Sequence, residues 1–144
     1  MIRIICVGKI KEKFYRDACC EYMKRLGRYH KVVIEEVIDS DIVREKELIL
    51  KHLKDKDYVI TLDIEGNTLD SISFSQLIDK TLISYSNIVF IIGGSNGLHK
   101  DIKKKANYSL SFSKLTFPHQ LFRVILLEQI YRSFKILNNE TYHK

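Results

Sequence analysis

Proline occurs once in the 144 residues and glycine six times, so the chain has no Pro-rich or Gly/Ser-rich tract of the kind that joins domains or stays unfolded. No segment recurs at a fixed period, which excludes a repeat array. Cysteine is also scarce. Cys6 and the adjacent Cys19 and Cys20 make an odd count with no C-x-x-C spacing. Neither a disulfide framework nor a zinc site is expected, and the three read as small buried apolar residues. Long hydrophobic runs are missing too. The N-terminal apolar stretch is far too short for a signal segment or a membrane span, and charged residues follow it at once, so a cytoplasmic protein without a membrane partner is expected. The sequence holds no H-E-x-x-H, no carboxylate pair at a telling spacing and no serine in a nucleophile elbow. Metal catalysis and hydrolysis therefore find no support, and no metal is expected.

The residues that are present describe one folded domain over 1–144, with 45% hydrophobic and 29% charged residues. Net charge is +6, which favours a polyanionic partner. The cations cluster at Lys9, Lys11, Lys13 and Arg16, again at Lys24, Arg25, Arg28 and Lys31, and again at Lys100, Lys103, Lys104 and Lys105. Clustering alone leaves nucleic-acid binding and a merely solvated face as equal readings.

Hydrophobic periodicity predicts strands at Ile2 to Val7, Val32 to Val37, Tyr58 to Asp63, Ile88 to Ile92 and Tyr108 to Phe112. Between them, three- and four-residue apolar spacing predicts helices at Glu12 to Leu26, Ser40 to Leu53, Ser71 or Ser73 to about Ile83, Leu98 to Ala106, and His119 to Leu137. Ser40 or Asp41 is a plausible cap for the second helix, and Ser71 or Ser73 for the third. Glu65-Gly66-Asn67 reads as a turn. Alternating strands and helices imply an α/β fold, a mostly parallel sheet with helices on both faces. In such sheets ligands sit beyond the carboxyl ends of the strands, so Leu62-Asp63, Gly93-Gly94 and the loop after Phe112 should converge. The last helix is apolar nearly all round, which calls for a second covering surface and suggests a homodimer.

Gly93-Gly94-Ser95-Asn96-Gly97 has neither the P-loop nor the dinucleotide-binding spacing, which leaves either a glycine loop that lets a ligand approach the backbone or a plain tight turn. The segment from Ser111 to Gln120 offers backbone polar groups with Leu115 and Phe117 beside them, suited to an adenine edge. His119 reads either as a base or as a helix-start packing residue. Tyr142-His143-Lys144 is either a frayed end or a functional tail.

Taken together, Phe90-Ile91-Ile92-Gly93-Gly94-Ser95-Asn96-Gly97-Leu98, the stretch Leu110 to Gln120, the ending Tyr142-His143-Lys144, the opening Val7 to Lys13 and the helix segment Arg123 to Arg132 resemble the SPOUT methyltransferases. Within that superfamily they are similar to the enzymes that methylate N3 of a pseudouridine in the large-subunit ribosomal RNA. The resemblance spans essentially the whole chain, apart from a shorter and different stretch between about Val37 and Leu48. It implies a C-terminal trefoil knot, a homodimer, and S-adenosylmethionine held by Leu62, Gly93, Phe112, Ser113, Lys114, Leu115, Thr116 and Phe117. It implies as substrate a pseudouridine in helix 69 of 23S rRNA on the assembled ribosome. His143 is then the expected proton acceptor and Tyr142 its stacking or hydrogen-bonding companion, the tail reaching into the partner protomer's pocket. Lys9, Lys11, Lys13, Arg16, Arg123 and Arg132 are the expected phosphate contacts. The basic face alone would also suit a non-catalytic RNA-binding, ribosome-associated protein. The glycine loop alone would suit a SPOUT methyltransferase acting on tRNA.

Overall fold

The computed structural model describes residues 1–144. In chain order its elements are β1 (Ile2–Val7), α1 (Lys13–Leu26), β2 (Val32–Val37), α2 (Ile42–His52), β3 (Asp57–Thr68), α3 (Ser71–Ser84), β4 (Asn87–Ile92), α4 (Lys100–Lys105), β5 (Tyr108–Ser111) and α5 (His119–Leu137). The five strands form one sheet in the order β2-β1-β4-β3-β5, and every neighbouring pair is parallel. The expected layering is therefore found.

Successive side chains of a strand point to opposite faces, and β1 is buried at every position, so it feeds two cores. Ile2, Ile4 and Cys6 join Ile88, Phe90 and Ile92 of β4 in a core with residues of α1, α3 and α5. Ile5 and Val7 join Val89 and Ile91 in a second core with Ile49 of α2 and Ile102 of α4. The last helix lies against both α1 and α3. Cys6 and Cys19 are buried as expected, and burial pushes the Cys6 thiol up to about 12. Cys20 is not buried; it falls on the solvent side of α1, one position out of phase with Cys19.

Two local readings need correction, at the third strand and at the cap of α3, while one of the two expected caps of α2 is found. The third strand does not turn at Glu65-Gly66-Asn67. Leu62 and Asn67 both pair with Leu110, so the intervening residues bulge and the strand resumes, with Asn67 Nδ2 donating to the Ser109 carbonyl at 3.2 Å. A Cβ on Gly66 would lie 2.8 Å from the Ser109 backbone, so glycine serves close approach there rather than chain reversal. The cap of α3 is neither serine but Asp70, whose carboxylate accepts from the Ser73 amide at 2.7 Å. For α2, Asp41 is the cap.

Near the amino ends of β1 and β3 lies a buried ionic cluster. Arg3 donates through Nε and Nη2 to the two Glu35 oxygens and through Nη1 to Asp57 Oδ2, all at 2.9 Å, and Nη2 also reaches the His52 carbonyl. Asp57 further accepts from the Lys54 amide at 2.8 Å and from Asn87 Nδ2 at 3.0 Å. With its charges and lone pairs met, this cluster ties β1, β2, β3 and the end of α2 together. No helix is long and apolar enough to cross a membrane.

Candidate functional site

The sheet rule places a site beyond the carboxyl ends of the strands, and a cavity of about 360 Å³ opens there. Its walls come from Leu62, Asp63 and Ile64 of β3, from Ile92 and most of the glycine loop that follows it, from Lys103 of α4, and from residues of β5, of the loop after it and of the start of α5. Of the residues expected to hold a ligand, Leu62, Gly93, Phe112, Ser113, Leu115, Thr116 and Phe117 all line it. Lys114 does not, and its side chain is exposed.

The glycine loop folds on itself. Gly97 donates its amide to the Gly94 carbonyl at 3.0 Å, with φ of +71°. A Cβ on Gly93 would meet the Gly97 backbone at 2.8 Å. Both glycines are thus demanded by the turn itself, and what speaks for a ligand is the space beneath it. That space is mixed in character. Leu62, Ile92, Leu98, Leu110, Phe112 and Phe122 give it apolar walls, and the amides of Thr116 and Phe117 donate to no acceptor within the chain. One ion pair borders it, Lys103 Nζ to Asp63 Oδ2 at 3.2 Å. Asp63 and Ser111 belong to segments expected at the site, whereas Lys103, expected only as one of a cluster of cations, is a wall residue whose place there the sequence does not announce. His119, the first residue of α5, also lines the cavity.

At the other end of α5 the tail is folded back. Asn139 takes a positive φ of 56°, the Glu140 amide donates to the Lys135 carbonyl at 2.9 Å, and the Glu140 carboxylate accepts from Tyr29 Oη and Lys135 Nζ, each at 2.9 Å. The chain then returns onto α5. Tyr142 Oη donates to Glu128 Oε2 at 3.2 Å, its ring stands edge-on to Tyr131 at 5.0 Å, and the Arg132 guanidinium lies 4.8 Å from the ring centre. Arg132 also donates to Glu128 at 3.1 Å and to His143 Nδ1 at 3.1 Å. Partial burial and the Glu128 carboxylate raise the Tyr142 phenol, which keeps it a donor at neutral pH. Glu128 is therefore the anchor of the tail, a role that a carboxylate in a helix pattern does not announce.

Neither Tyr142 nor His143 lines the first cavity. His143 lines a second one, about 500 Å³, which shares Leu110, Phe112 and Phe117 with the first.

The expected phosphate contacts divide. Lys9, Lys11, Lys13 and Arg16 are exposed around the start of α1, Lys13 being paired with Asp17 at 2.7 Å. Arg132 is half-buried against Glu128 and the tail. Arg123 is not available to RNA. Its side chain is 4% exposed, Nη1 is bound to Glu36 at 2.7 Å and Nη2 to the Gly8 carbonyl at 3.2 Å. This arginine points inward and fastens the helix to the ends of β1 and β2.

A family model described as "Predicted SPOUT methyltransferase" matches residues 1–143. A ribosomal RNA large subunit methyltransferase H from Clostridium botulinum (strain Loch Maree / Type A3) is 54% identical over 157 aligned positions, covering 99% of each chain. Among solved structures, a probable methylase family protein from Haemophilus influenzae Rd KW20 superposes with a TM-score of 0.59 at 12% identity, over 99% of this chain and 70% of that one. The methyltransferase AviRb from Streptomyces viridochromogenes, solved in complex with the cofactor AdoMet, superposes with a TM-score of 0.50 at 11% identity, over 90% of this chain and 56% of that one.

Proposed function

From the premise that the chain belongs to the SPOUT methyltransferase family, we propose that it transfers a methyl group from S-adenosylmethionine to N3 of a pseudouridine in helix 69 of 23S rRNA, on the assembled ribosome. The observation that carries the reading is the convergence of Leu62, Gly93 and the 112–117 segment on one cavity, seven of the eight residues implied by the family likeness.

The residues there suit the donor. Leu62, Leu98, Leu110 and Phe122 offer apolar faces to an adenosine, and the uncommitted Thr116 and Phe117 amides offer donors to its polar edge. Asp63 and Lys103 present opposite charges side by side, which complements an amino-acid end. When bound, the donor supplies a methyl group already activated on a sulfonium. What the protein must add is alignment, which lowers the barrier by fixing both reactants, and removal of the N3 proton. His143 takes that proton in this reading, and Tyr142 holds the tail by its bond to Glu128. Lys9, Lys11, Lys13 and Arg16 contact phosphates near the start of α1, so binding weakens with salt.

The remaining parts of the proposal come from the family. One SPOUT domain in the cytoplasm carries its C-terminal segment as a trefoil knot and works as a homodimer. The half-buried apolar side chains of α5, Leu121 and Ile125 among them, support a covering partner.

Mass spectrometry of 23S rRNA from cells lacking the protein tests the reading. The account expects a pseudouridine that has lost one methyl group, restored when purified protein and S-adenosylmethionine are added to ribosomes and not when they are added to isolated tRNA. Unchanged rRNA would sink it.

A further inference from the structure

Three lysines of α4, Lys100, Lys104 and Lys105, have no role in the reading so far. The other charges of this short helix are neutralised. Asp101 is taken by Lys46 of α2 at 3.5 Å, and Lys103 by Asp63, in the wall of the first cavity, at 3.2 Å. Lys100, Lys104 and Lys105 are exposed and form no ion pair with any carboxylate of the chain.

The core sets their direction. Ile102 is fully buried and packs in the second core with Ile49 of α2. At about 3.6 residues per turn, the positions two before and two after it fall on the far side of the helix, so Lys100 and Lys104 point to solvent one turn apart. The helix itself gains nothing from this pair. Like charges four residues apart repel, and Lys100 stands at the first position, where the helix dipole disfavours a cation.

Sheet topology brings this row to the same edge as the cations that open α1. β1 and β4 are parallel neighbours, so the chain leaves both at the carboxyl edge. After β1 it carries Lys9, Lys11, Lys13 and Arg16 into α1, on the face that also holds α3 and α5. After β4 it carries the glycine loop and Lys100 into α4, on the opposite face with α2. The two strand ends adjoin: a Cβ on Gly94 would stand 2.9 Å from Val7 Cγ1. The glycine loop is thus flanked by cations on both faces of the sheet.

We infer that Lys100 and Lys104, with Lys105 beside them, hold backbone phosphates of the ribosomal RNA, so that the RNA crosses the carboxyl edge and is gripped on both faces of the sheet. The inference rests on the rRNA methyltransferase reading. A polyanion is the partner that suits a row of flexible, hydrated ammonium groups, because each phosphate contact releases counterions and asks for no fixed geometry. Such contacts fix where the RNA backbone lies and leave the choice of base to the site.

Salt dependence tests the inference, since each phosphate contact removed makes the plot of log(kcat/KM) against log salt shallower by about one unit of slope. For Lys100→Ala/Lys104→Ala, the slope measured on ribosomes should be shallower by about two and KM for ribosomes higher by roughly 10-fold. Its kcat at saturation, its calorimetric affinity for S-adenosylmethionine and its melting temperature should equal those of the wild type. Lys100→Arg/Lys104→Arg, which keeps both charges, should restore the wild-type slope. Lys51→Ala/Lys80→Ala removes the same charge from exposed positions in the second halves of α2 and α3 and should leave the slope unchanged. A wild-type slope in Lys100→Ala/Lys104→Ala, an equal loss in Lys51→Ala/Lys80→Ala, or a fall in donor affinity or melting temperature in the α4 variant would each overturn the inference. A wild-type protein that leaves ribosomes unmethylated removes the underlying reading instead, and co-sedimentation with ribosomes over the same salt series then decides on the α4 surface by the same difference in slope.

Discussion

Replacing both Tyr142 and His143 by alanine is expected to lower turnover on ribosomes by about 100-fold or more, the usual effect of removing a positioned acid-base group. The affinity for S-adenosylmethionine should stay as it is, because neither residue lines the first cavity. Stability should change little as well. The tail's contacts lie on the surface of α5, and its turn is fastened separately by Glu140 to Tyr29 and Lys135. Single-turnover kinetics with calorimetry separates the alternatives: a loss of rate at constant donor affinity supports a chemical role. Undiminished turnover would reduce the tail to packing.

The second large effect is on stability, at the end of the sheet remote from the site. Arg3→Met leaves Asp57, whose side chain is fully buried, and Glu35 without their common partner. Stranding a buried charge in this way costs about 3–5 kcal/mol. For a domain of this size that corresponds to a fall in Tm of roughly 10 °C. Calorimetric melting of the variant should show it, and a melting temperature equal to that of the wild type would mean that the cluster contributes nothing net. The pH dependence carries a matching signature. The Arg3 hydrogen bonds hold the Glu35 carboxyl below its ordinary value, so its contribution is complete above the unfolded-state value and is lost as pH falls through the folded-state value. The wild type should therefore lose this increment in the acid range, and Arg3→Met should lose less, since only the His52 contact is left to lower the Glu35 carboxyl.

Much of this architecture can be read from the residues. The five strands and five helices follow from apolar runs of five or six residues alternating with amphipathic stretches, and α5 from His119 to Leu137 is found at the expected bounds. The site location follows from the strand ends alone, and the family likeness adds which residues converge there. What escapes pattern reading depends on contacts distant in sequence. Gly66 looks like a turn residue because a glycine between two polar residues usually is; only the approach of Ser109, brought in by β5, turns it into a bulge. Arg123 looks like a surface cation on a helix; its partner Glu36 lies 87 residues away. Glu128 looks like one more solvated acid until the tail folds back over it. Asp70 shows a smaller failure of the same kind, since three residues able to cap stand close together and only the folded backbone shows that the helix starts after Asp70.

The central claim is that the cavity beyond the strand ends binds S-adenosylmethionine. Calorimetric titration of this compound into the wild-type protein and into Gly93→Val tests it most directly. The account predicts saturable binding to the wild type and none to the valine variant, in which a Cβ would stand 2.8 Å from the Gly97 backbone and the loop over the cavity cannot close. An absence of binding heat with the wild type, or equal affinity in both proteins, would contradict it.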